Sequence, residues 1–254
     1  MATYALTGGA SGIGAALSEQ LKAAGHTIIN VDIRDADIIV DLTSTDGRSQ
    51  ALTEINNLAP QGLDGFVPLA GLGAGTGHPA RQIIALNYFG AVVLTEGLRP
   101  LLAKRSGTVV LLSSNSAPMS SHGDPLIEAL LSADEEAALA IADQETGLEY
   151  MAGKRALVYW MRRNNFDYGR EGVRMNAVAP GPIETPMTAA LFEMPGMKDT
   201  VDALLSMTPT ERMGQPDEVA NAISFLLSEA ASYVNGTVIF VDGGYDAATR
   251  TDHL

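Results

Sequence analysis

Short runs of consecutive apolar residues alternate along the chain with longer stretches in which apolar positions recur every three or four residues. The runs fall at residues 4–7, 27–31, 38–40, 65–70, 108–113, 173–179 and 237–241. Each has the length of a strand, and several are apolar throughout, the pattern of parallel strands covered on both faces by helices. Strands separated by helical stretches imply repeated βαβ units. The chain therefore reads as an α/β protein, a doubly wound parallel sheet of about seven strands forming a single domain over residues 1–254.

Two places break the rhythm. Residues 71–77, GLGAGTG, are too rich in glycine for a regular element and read as a loop leaving the fourth strand. Residues 116–147 open with the turn-prone APMSSHGDP and continue through a stretch rich in Ala, Leu and Glu, which favour helix. A helical insertion is expected there. The polar tail after Asp246 carries no periodicity.

Composition narrows the function. A hydrophobic content of 46% supplies a sizeable core. Sixteen basic residues against thirty acidic ones give a formal net charge of −14, which repels phosphate polyanions and argues against nucleic acid as a partner. The chain has no cysteine, so disulfides and thiolate metal sites are excluded, and its four histidines, His26, His78, His122 and His253, lack metal-ligand spacing. No basic leader precedes the first strand, and no apolar run approaches the ~20 residues needed to span a bilayer. A cytoplasmic protein with no signal peptide and no membrane span is expected.

Candidate chemistry begins at Thr7-Gly-Gly-Ala-Ser-Gly-Ile-Gly14, which follows the first strand at once and opens a helix-like stretch at residues 15–22. Gly8, Gly12 and Gly14, with Ser11 and Ile13 between them, suit a turn whose backbone approaches a pyrophosphate at a helix N-terminus. The second strand ends at Val31-Asp32, about 20 residues further on, where a carboxylate accepts hydrogen bonds from ribose hydroxyls and repels a 2′-phosphate. NAD is thus expected rather than NADP, although Arg34 stands close by. Asp41 and Leu42, after the third strand, are candidates to contact the adenine ring, and Asp41 reads equally well as a turn or helix cap.

A second candidate is Tyr150-Met-Ala-Gly-Lys154, with Ser113-Ser114 upstream. Tyr150 and Lys154 lie one helical turn apart, so the ammonium is placed to lower the phenol's pKa and let it exchange a proton with an alcohol or ketone. Alone, such a pair reads more simply as a surface tyrosine above a lysine.

TGGASGIG, Asp32, Ala70-Gly71, Asn87, Ser114, Tyr150, Lys154, Asn176-Ala-Val-Ala-Pro-Gly-Pro-Ile-Glu-Thr185 and Val241-Asp-Gly-Gly244 occur in this order. With them the chain resembles the short-chain dehydrogenases/reductases over nearly its full length. Within that family it is most similar to the bacterial 3α-hydroxysteroid dehydrogenase/carbonyl reductase subgroup, through residues 31–37, 87–90, the long segment from Ser114 to Tyr150, Glu184-Thr-Pro186 and Ala231-Ser-Tyr-Val234. The resemblance implies a Rossmann fold and an NAD cofactor. It makes Tyr150 the general acid or base, Lys154 its tuner and a nicotinamide-ribose ligand, and Ser114, with Ser113 as the competing choice, the donor to the substrate oxygen. Asn87 is expected to hold a proton-relaying water. Cofactor contacts are implied for Gly8, Ser11, Gly12, Ile13, Gly14, Asp32, Ile33, Asp41, Leu42, Ala70, Gly71, Tyr150, Lys154, Pro180, Gly181, Ile183 and Thr185.

The chain departs from the family pattern in three ways, one of them a connection from Gly71 to Asn87 that is shorter than usual. Pro68-Leu69-Ala70-Gly71 stands where an Asn-Asn-Ala-Gly turn is usual, and thirty-five residues separate Ser114 from Tyr150, an unusually long segment. Residues 186–213, with Met187, Leu191, Phe192, Met194, Met197, Leu204, Leu205 and Met207, resemble the family's flexible substrate lid, and methionines adapt to irregular apolar ligands. The implied function is NAD-dependent interconversion of a bulky apolar secondary alcohol and its ketone, as in a 3α-hydroxysteroid dehydrogenase/carbonyl reductase. Dehydrogenation of smaller cyclic, terpenoid or aromatic alcohols is the alternative, and a non-catalytic dinucleotide sensor a more remote one. A homo-oligomer, dimer or tetramer, is implied, with the insertion covering the helix face through which relatives commonly pair.

Overall fold

Seven parallel strands form one sheet: β1 (Thr3–Thr7), β2 (Thr27–Asp32), β3 (Ile38–Ile39), β4 (Gly65–Pro68), β5 (Thr108–Leu112), β6 (Arg174–Pro180) and β7 (Val238–Val241). Their order is β3-β2-β1-β4-β5-β6-β7. The computed structural model describes residues 1–73, 77–120, 124–144, 147–193 and 196–252. Every apolar run seen in the sequence becomes a strand. The fourth is the most shortened, because beyond Pro68 the ladder to β1 dissolves: the Leu69 amide still donates to the Thr7 carbonyl, but the Ala70 amide donates to the Thr7 hydroxyl. The chain winds outward from β1 through β2 to β3, then returns to β4 and winds the other way. Loops leaving β1 and β4 therefore diverge and open a crevice at the carboxyl edge of the sheet.

The helices are α1 (Gly12–Ala23), α2 (Thr45–Leu58), α3 (Ala80–Ile84), α4 (Ala91–Ala103), α5 (Pro125–Leu131), α6 (Glu135–Ala142), α7 (Glu149–Arg170), α8 (Pro186–Phe192), α9 (Met197–Ser206), α10 (Pro216–Leu227) and α11 (Tyr245–Thr249). Leu17 and Leu21 of α1 and Val219, Ile223 and Leu226 of α10 pack on one sheet face with Leu6, Val67 and Val110. Ala51 and Ile55 of α2, Leu94 and Leu98 of α4 and Leu157 and Met161 of α7 pack on the other with Phe66, Val109 and Leu111. Both faces of the sheet are thus covered, which is why its strands carry apolar residues without alternation. Between α3 and α4 the helix widens into a π-turn, Ala85–Gly90. No described helix is long and apolar enough to cross a membrane.

The insertion contributes α5 and α6. Asp124 caps α5 by accepting from the Leu126 amide, with Pro125 at the first helical position, and Asp134 caps α6 by accepting from the Ala137 amide. Leu126, Ile127, Leu130, Ala138 and Ala142 are buried in the same apolar cluster as α4 and α7, so the insertion extends the core and is not a surface ornament. Its helices lie against α3, α7 and the π-turn, and the Tyr88 hydroxyl donates to the Leu130 carbonyl at 2.9 Å. Burial pushes that phenol's pKa up, which keeps it a neutral donor.

Replacing Tyr88 with Phe is expected to lower stability by about 1 kcal/mol, the net worth of one buried hydrogen bond. Urea unfolding of both proteins measures it; an unchanged midpoint would show that apolar packing alone holds the insertion.

Candidate active site

The turn between β1 and α1 is too tight for side chains. Gly8 takes φ +75°, and a Cβ built on it would sit 2.6 Å from the Ala70 amide nitrogen; one on Gly14 would sit 2.1 Å from the Gly8 carbonyl oxygen. Ser11 is the N-cap of α1 but makes no side-chain capping bond, so the first-turn amides of α1 are left to an outside acceptor. Gly12 faces the segment after β6, where a built Cβ would come within 3.3 Å of Thr185 Cγ2. Asn30, which the sequence did not single out, presses on the turn from β2: a Cβ on Gly9 would overlap its side chain, whose Oδ1 is buried without a partner.

Asp32 ends β2 beside this turn. One carboxylate oxygen accepts from the Ala10 amide at 3.0 Å and the other from the Ile33 amide at 2.7 Å, while the Ile33 side chain is largely exposed. One oxygen of the Asp41 carboxylate accepts from both the amide and the hydroxyl of Thr43, at 2.9 and 2.7 Å, so Asp41 caps this turn while its other oxygen takes no part in these bonds. Leu42 is buried in the core against α2 and the π-turn. A tight backbone cradle, a free helix N-terminus and a carboxylate at the end of β2 together fit a dinucleotide.

Two bonds lock the start of α7 to the end of β5. Lys154 Nζ donates to the Leu112 carbonyl at 2.7 Å, and the Ser113 hydroxyl donates to the Lys154 carbonyl at 3.1 Å. Ser113 is thereby engaged, and Ser114 is the serine that meets Tyr150. Burial raises the Tyr150 pKa, and the hydrogen bond from Ser114 opposes that rise. The lowering expected from Lys154 does not appear, because its ammonium is directed at the Leu112 carbonyl, 5.7 Å from the centre of the Tyr150 ring. Burial also lowers the Lys154 pKa to about 8. Ser116 was not anticipated: its hydroxyl lies 2.9 Å from that of Ser114 and its amide donates to the same oxygen. The run Ser113-Ser-Asn-Ser116 was the only sequence signal for it.

Asn87 lies in the π-turn and is buried. Its Oδ1 accepts from the Leu72 amide at 2.8 Å and its Nδ2 donates to the Leu72 carbonyl at 2.9 Å, so the side chain ties down the loop after β4 and keeps one lone pair and one N–H beyond these bonds. Gly71 packs beside it, a built Cβ lying 3.2 Å from Asn87 Oδ1, with Ala70 on the glycine turn. Residues 74–76 of the glycine-rich loop lie outside the described residues.

The exit from β6 forms the far wall. Pro180 accepts from the Asn115 amide, and Gly181 donates to the Val241 carbonyl, with room for no Cβ beside Asp242. Ile183 is buried and bridges to Gly214. The Thr185 hydroxyl accepts from the Thr188 amide at 3.3 Å and lies 3.0 Å from the Thr188 hydroxyl, engaged in the first turn of α8. Beyond it lie Met187 of α8 and Met207 at the end of α9, both substantially exposed, and half-buried Leu204 and Leu205 of α9. Met194 lies outside the described residues, as do the side chains of Leu191 and Met197.

Fold and site define an oxidoreductase class, and the comparisons agree. A family described as short chain dehydrogenase matches residues 2–126, and one described as Enoyl-(Acyl carrier protein) reductase matches residues 134–246. The chain belongs to the short-chain dehydrogenase family. It is 39% identical, over 98% of both chains, to a 3-alpha-hydroxysteroid dehydrogenase/carbonyl reductase of Comamonas testosteroni. It is 31% identical, over 94% of both, to a coniferyl-alcohol dehydrogenase of a Pseudomonas species. Among solved structures, a 3-alpha-hydroxysteroid dehydrogenase from Pseudomonas sp. B-0831 complexed with NADH superposes with a TM-score of 0.95 at 39% identity, covering 99% of this chain and 100% of that one.

The buried ammonium has a thermodynamic signature. With the folded pKa of Lys154 near 8 and the unfolded value near 10.5, the unfolded chain binds more protons between these limits, so stability rises with pH across that window. The rise is expected to reach at most about 3 kcal/mol. The raised phenol of Tyr150 works in the opposite sense above pH ~10, where the folded state retains its proton. Denaturant unfolding from pH 7.5 to 10 should therefore show a positive slope that is flattened in Lys154→Met; equal slopes in the two proteins would contradict it.

Proposed function

We propose that this protein interconverts a bulky apolar secondary alcohol, of the 3α-hydroxysteroid kind, with its ketone, using NAD. The observation that carries this reading is the meeting of Ser114 and Tyr150 at the carboxyl end of β5, on the crevice edge where the glycine turn and Asp32 form a dinucleotide cradle. The relatives named for hydroxysteroid and carbonyl chemistry, one of them complexed with NADH, support it.

Gly8, Ser11, Gly12, Ile13 and Gly14 hold the pyrophosphate, Asp32 the adenosine ribose with Ile33, Leu42, Ala70 and Gly71 as its walls, and Pro180, Gly181, Ile183, Thr185 and Lys154 the nicotinamide end. NAD held by these residues would supply the hydride acceptor for the alcohol carbon and, as NADH, the hydride donor for the ketone. Tyr150 exchanges the accompanying proton with the substrate oxygen. Burial favours its neutral form, the form that donates to a ketone. Ser114, oriented by the hydroxyl and amide of Ser116, steadies the substrate oxygen as charge develops on it. Asn87 acts through the backbone it holds, fixing the loop after β4. The apolar residues of 186–213 close over the substrate as a lid. A chain without cysteine suits the reducing cytoplasm.

Assays with NAD and NADP on steroid, terpenoid and simple secondary alcohols test the reading. Steroid alcohols are expected to be oxidised with NAD, faster as pH rises because deprotonated Tyr150 is the required base. Tyr150→Phe should lose at least ~10³-fold in rate, in line with loss of a positioned acid–base group. Steroid inertness beside rapid terpenol oxidation would select the smaller-alcohol reading, and a preference for NADP would overturn the role of Asp32.

We also infer a homo-oligomer built on the β7 edge. All four residues of β7, the edge strand, are half-buried in a sheet whose inner strands are almost wholly buried, and Phe225 of the neighbouring α10 is exposed. An unpaired apolar edge calls for cover, while the faces of α7 and the π-turn already carry the insertion. Phe225→Glu is expected to shift the wild-type oligomer toward monomer in sedimentation; a monomeric wild type, or an unaffected variant, counts against this interface.

A further inference from the structure

Arg48 of α2 is 1% exposed, the largest fully buried side chain among the described residues, and nothing in the reaction uses it. Its Nη2 donates to both oxygens of Glu135, at 2.8 and 2.6 Å, and lies 3.2 Å from the Thr45 hydroxyl. Its Nη1 reaches two carbonyls at longer range, Ala85 at 3.4 Å and Leu42 at 3.5 Å. Its Nε is buried without a partner. These contacts join three separate pieces of the fold. Glu135 is the first residue of α6 in the insertion, Leu42 lies at the adenosine end of the crevice, and Ala85 begins the π-turn that carries Asn87.

Each piece that Arg48 holds is in turn packed or bonded to the segment beyond it. A Cβ built on Gly47 would sit 2.0 Å from the Asp41 carbonyl oxygen, so the start of α2 is pressed directly onto the Asp41-Leu42 segment. On the other side, Asn87 ties the π-turn to Leu72 in the loop after β4. A guanidinium pinned by Glu135 therefore sets the spacing between the wall after β3 and the loop after β4, the two sides of the adenosine site. As a stabilising device the arrangement is poor. A buried ion pair with an unmatched N–H is commonly no better than apolar packing of the same volume, whereas its directional bonds do fix geometry.

We propose that Arg48 is a positioning residue through which the insertion shapes the adenosine end of the cofactor pocket, with Glu135 orienting the guanidinium and the guanidinium holding the Leu42 and Ala85 carbonyls. This rests on the dinucleotide reading of the cradle, and it gives the insertion a part in cofactor affinity as well as in covering a helix face.

The test is NADH binding, followed by fluorescence titration alongside thermal unfolding, in wild type, Glu135→Gln and the double variant Arg48→Met/Glu135→Leu. Glu135→Gln is expected to weaken NADH binding about tenfold and to raise the KM for NAD in parallel, with kcat at saturating NAD within about twofold of wild type. The double variant, with both charges replaced by apolar side chains, should regain the wild-type unfolding temperature while still binding NADH weakly. It also carries the comparison if Glu135→Gln does not fold. Unchanged NADH affinity in either variant, or a double variant that regains stability and affinity together, would overturn the proposal. A wild type that binds no NADH would instead sink the dinucleotide reading, and the proposal with it.

Discussion

A buried ammonium must be compensated, and in this fold Lys154 is compensated by one backbone carbonyl, that of Leu112. Much of the site depends on that bond. It brings the first turns of α7 against the carboxyl end of β5, and the Ser113 hydroxyl closes the reciprocal bond to the Lys154 carbonyl. With strand and helix clamped at adjacent residues, Ser114 and Tyr150 meet with no adjustable loop between their supports. Thirty-five intervening residues then cost the site nothing in geometry, because the clamp and not the connecting chain sets the distance. The same burial that makes the clamp necessary lowers the Lys154 pKa and raises that of Tyr150, so both groups sit in a weakly polar setting.

The sheet was legible in the sequence because its signal is local and repeated: apolar runs of strand length that two layers of helix require. The glycine turn was legible for a similar reason, since a backbone approach closer than a Cβ allows leaves a mark that only glycine can make. Residues whose role depends on distant partners were not legible. Arg48 lies in a polar stretch, TDGRSQ, that reads as a solvated helix start, and its burial follows from Glu135, eighty-seven positions away. Asn87 was named through the family resemblance, yet its partner, the Leu72 backbone, carries no sequence signal. Asp41 was open between ligand and cap, and the hydroxyl of Thr43 two residues on supplies the bond of a cap.

The insertion and residues 186–213 differ in how they are held. The insertion buries Leu126, Ile127 and Leu130 in the main core and is fixed further by Tyr88 and by the ion pair to Arg48. Residues 186–213 expose Met187 and Met207, and the polar bonds at the start of α8 stay local, from Thr188 to Thr185 and to the Ile183 carbonyl. Local stability follows buried apolar contact, so the two segments belong to opposite ends of the stability range.

That division also explains why membership of a large family leaves the substrate open. The residues proposed for the chemistry lie at the ends of β1, β5 and β6, where sheet geometry places them, and relatives with quite different names match this chain over nearly its whole length. Selectivity must then come from segments the sheet does not constrain. Here the bond from the Thr188 amide to the Thr185 hydroxyl fixes where α8 begins, beside Gly12 of the glycine turn. An apolar pocket discriminates weakly between ligands differing by a methylene, so the lid proposed for residues 186–213 would favour a class of bulky alcohols over a single compound.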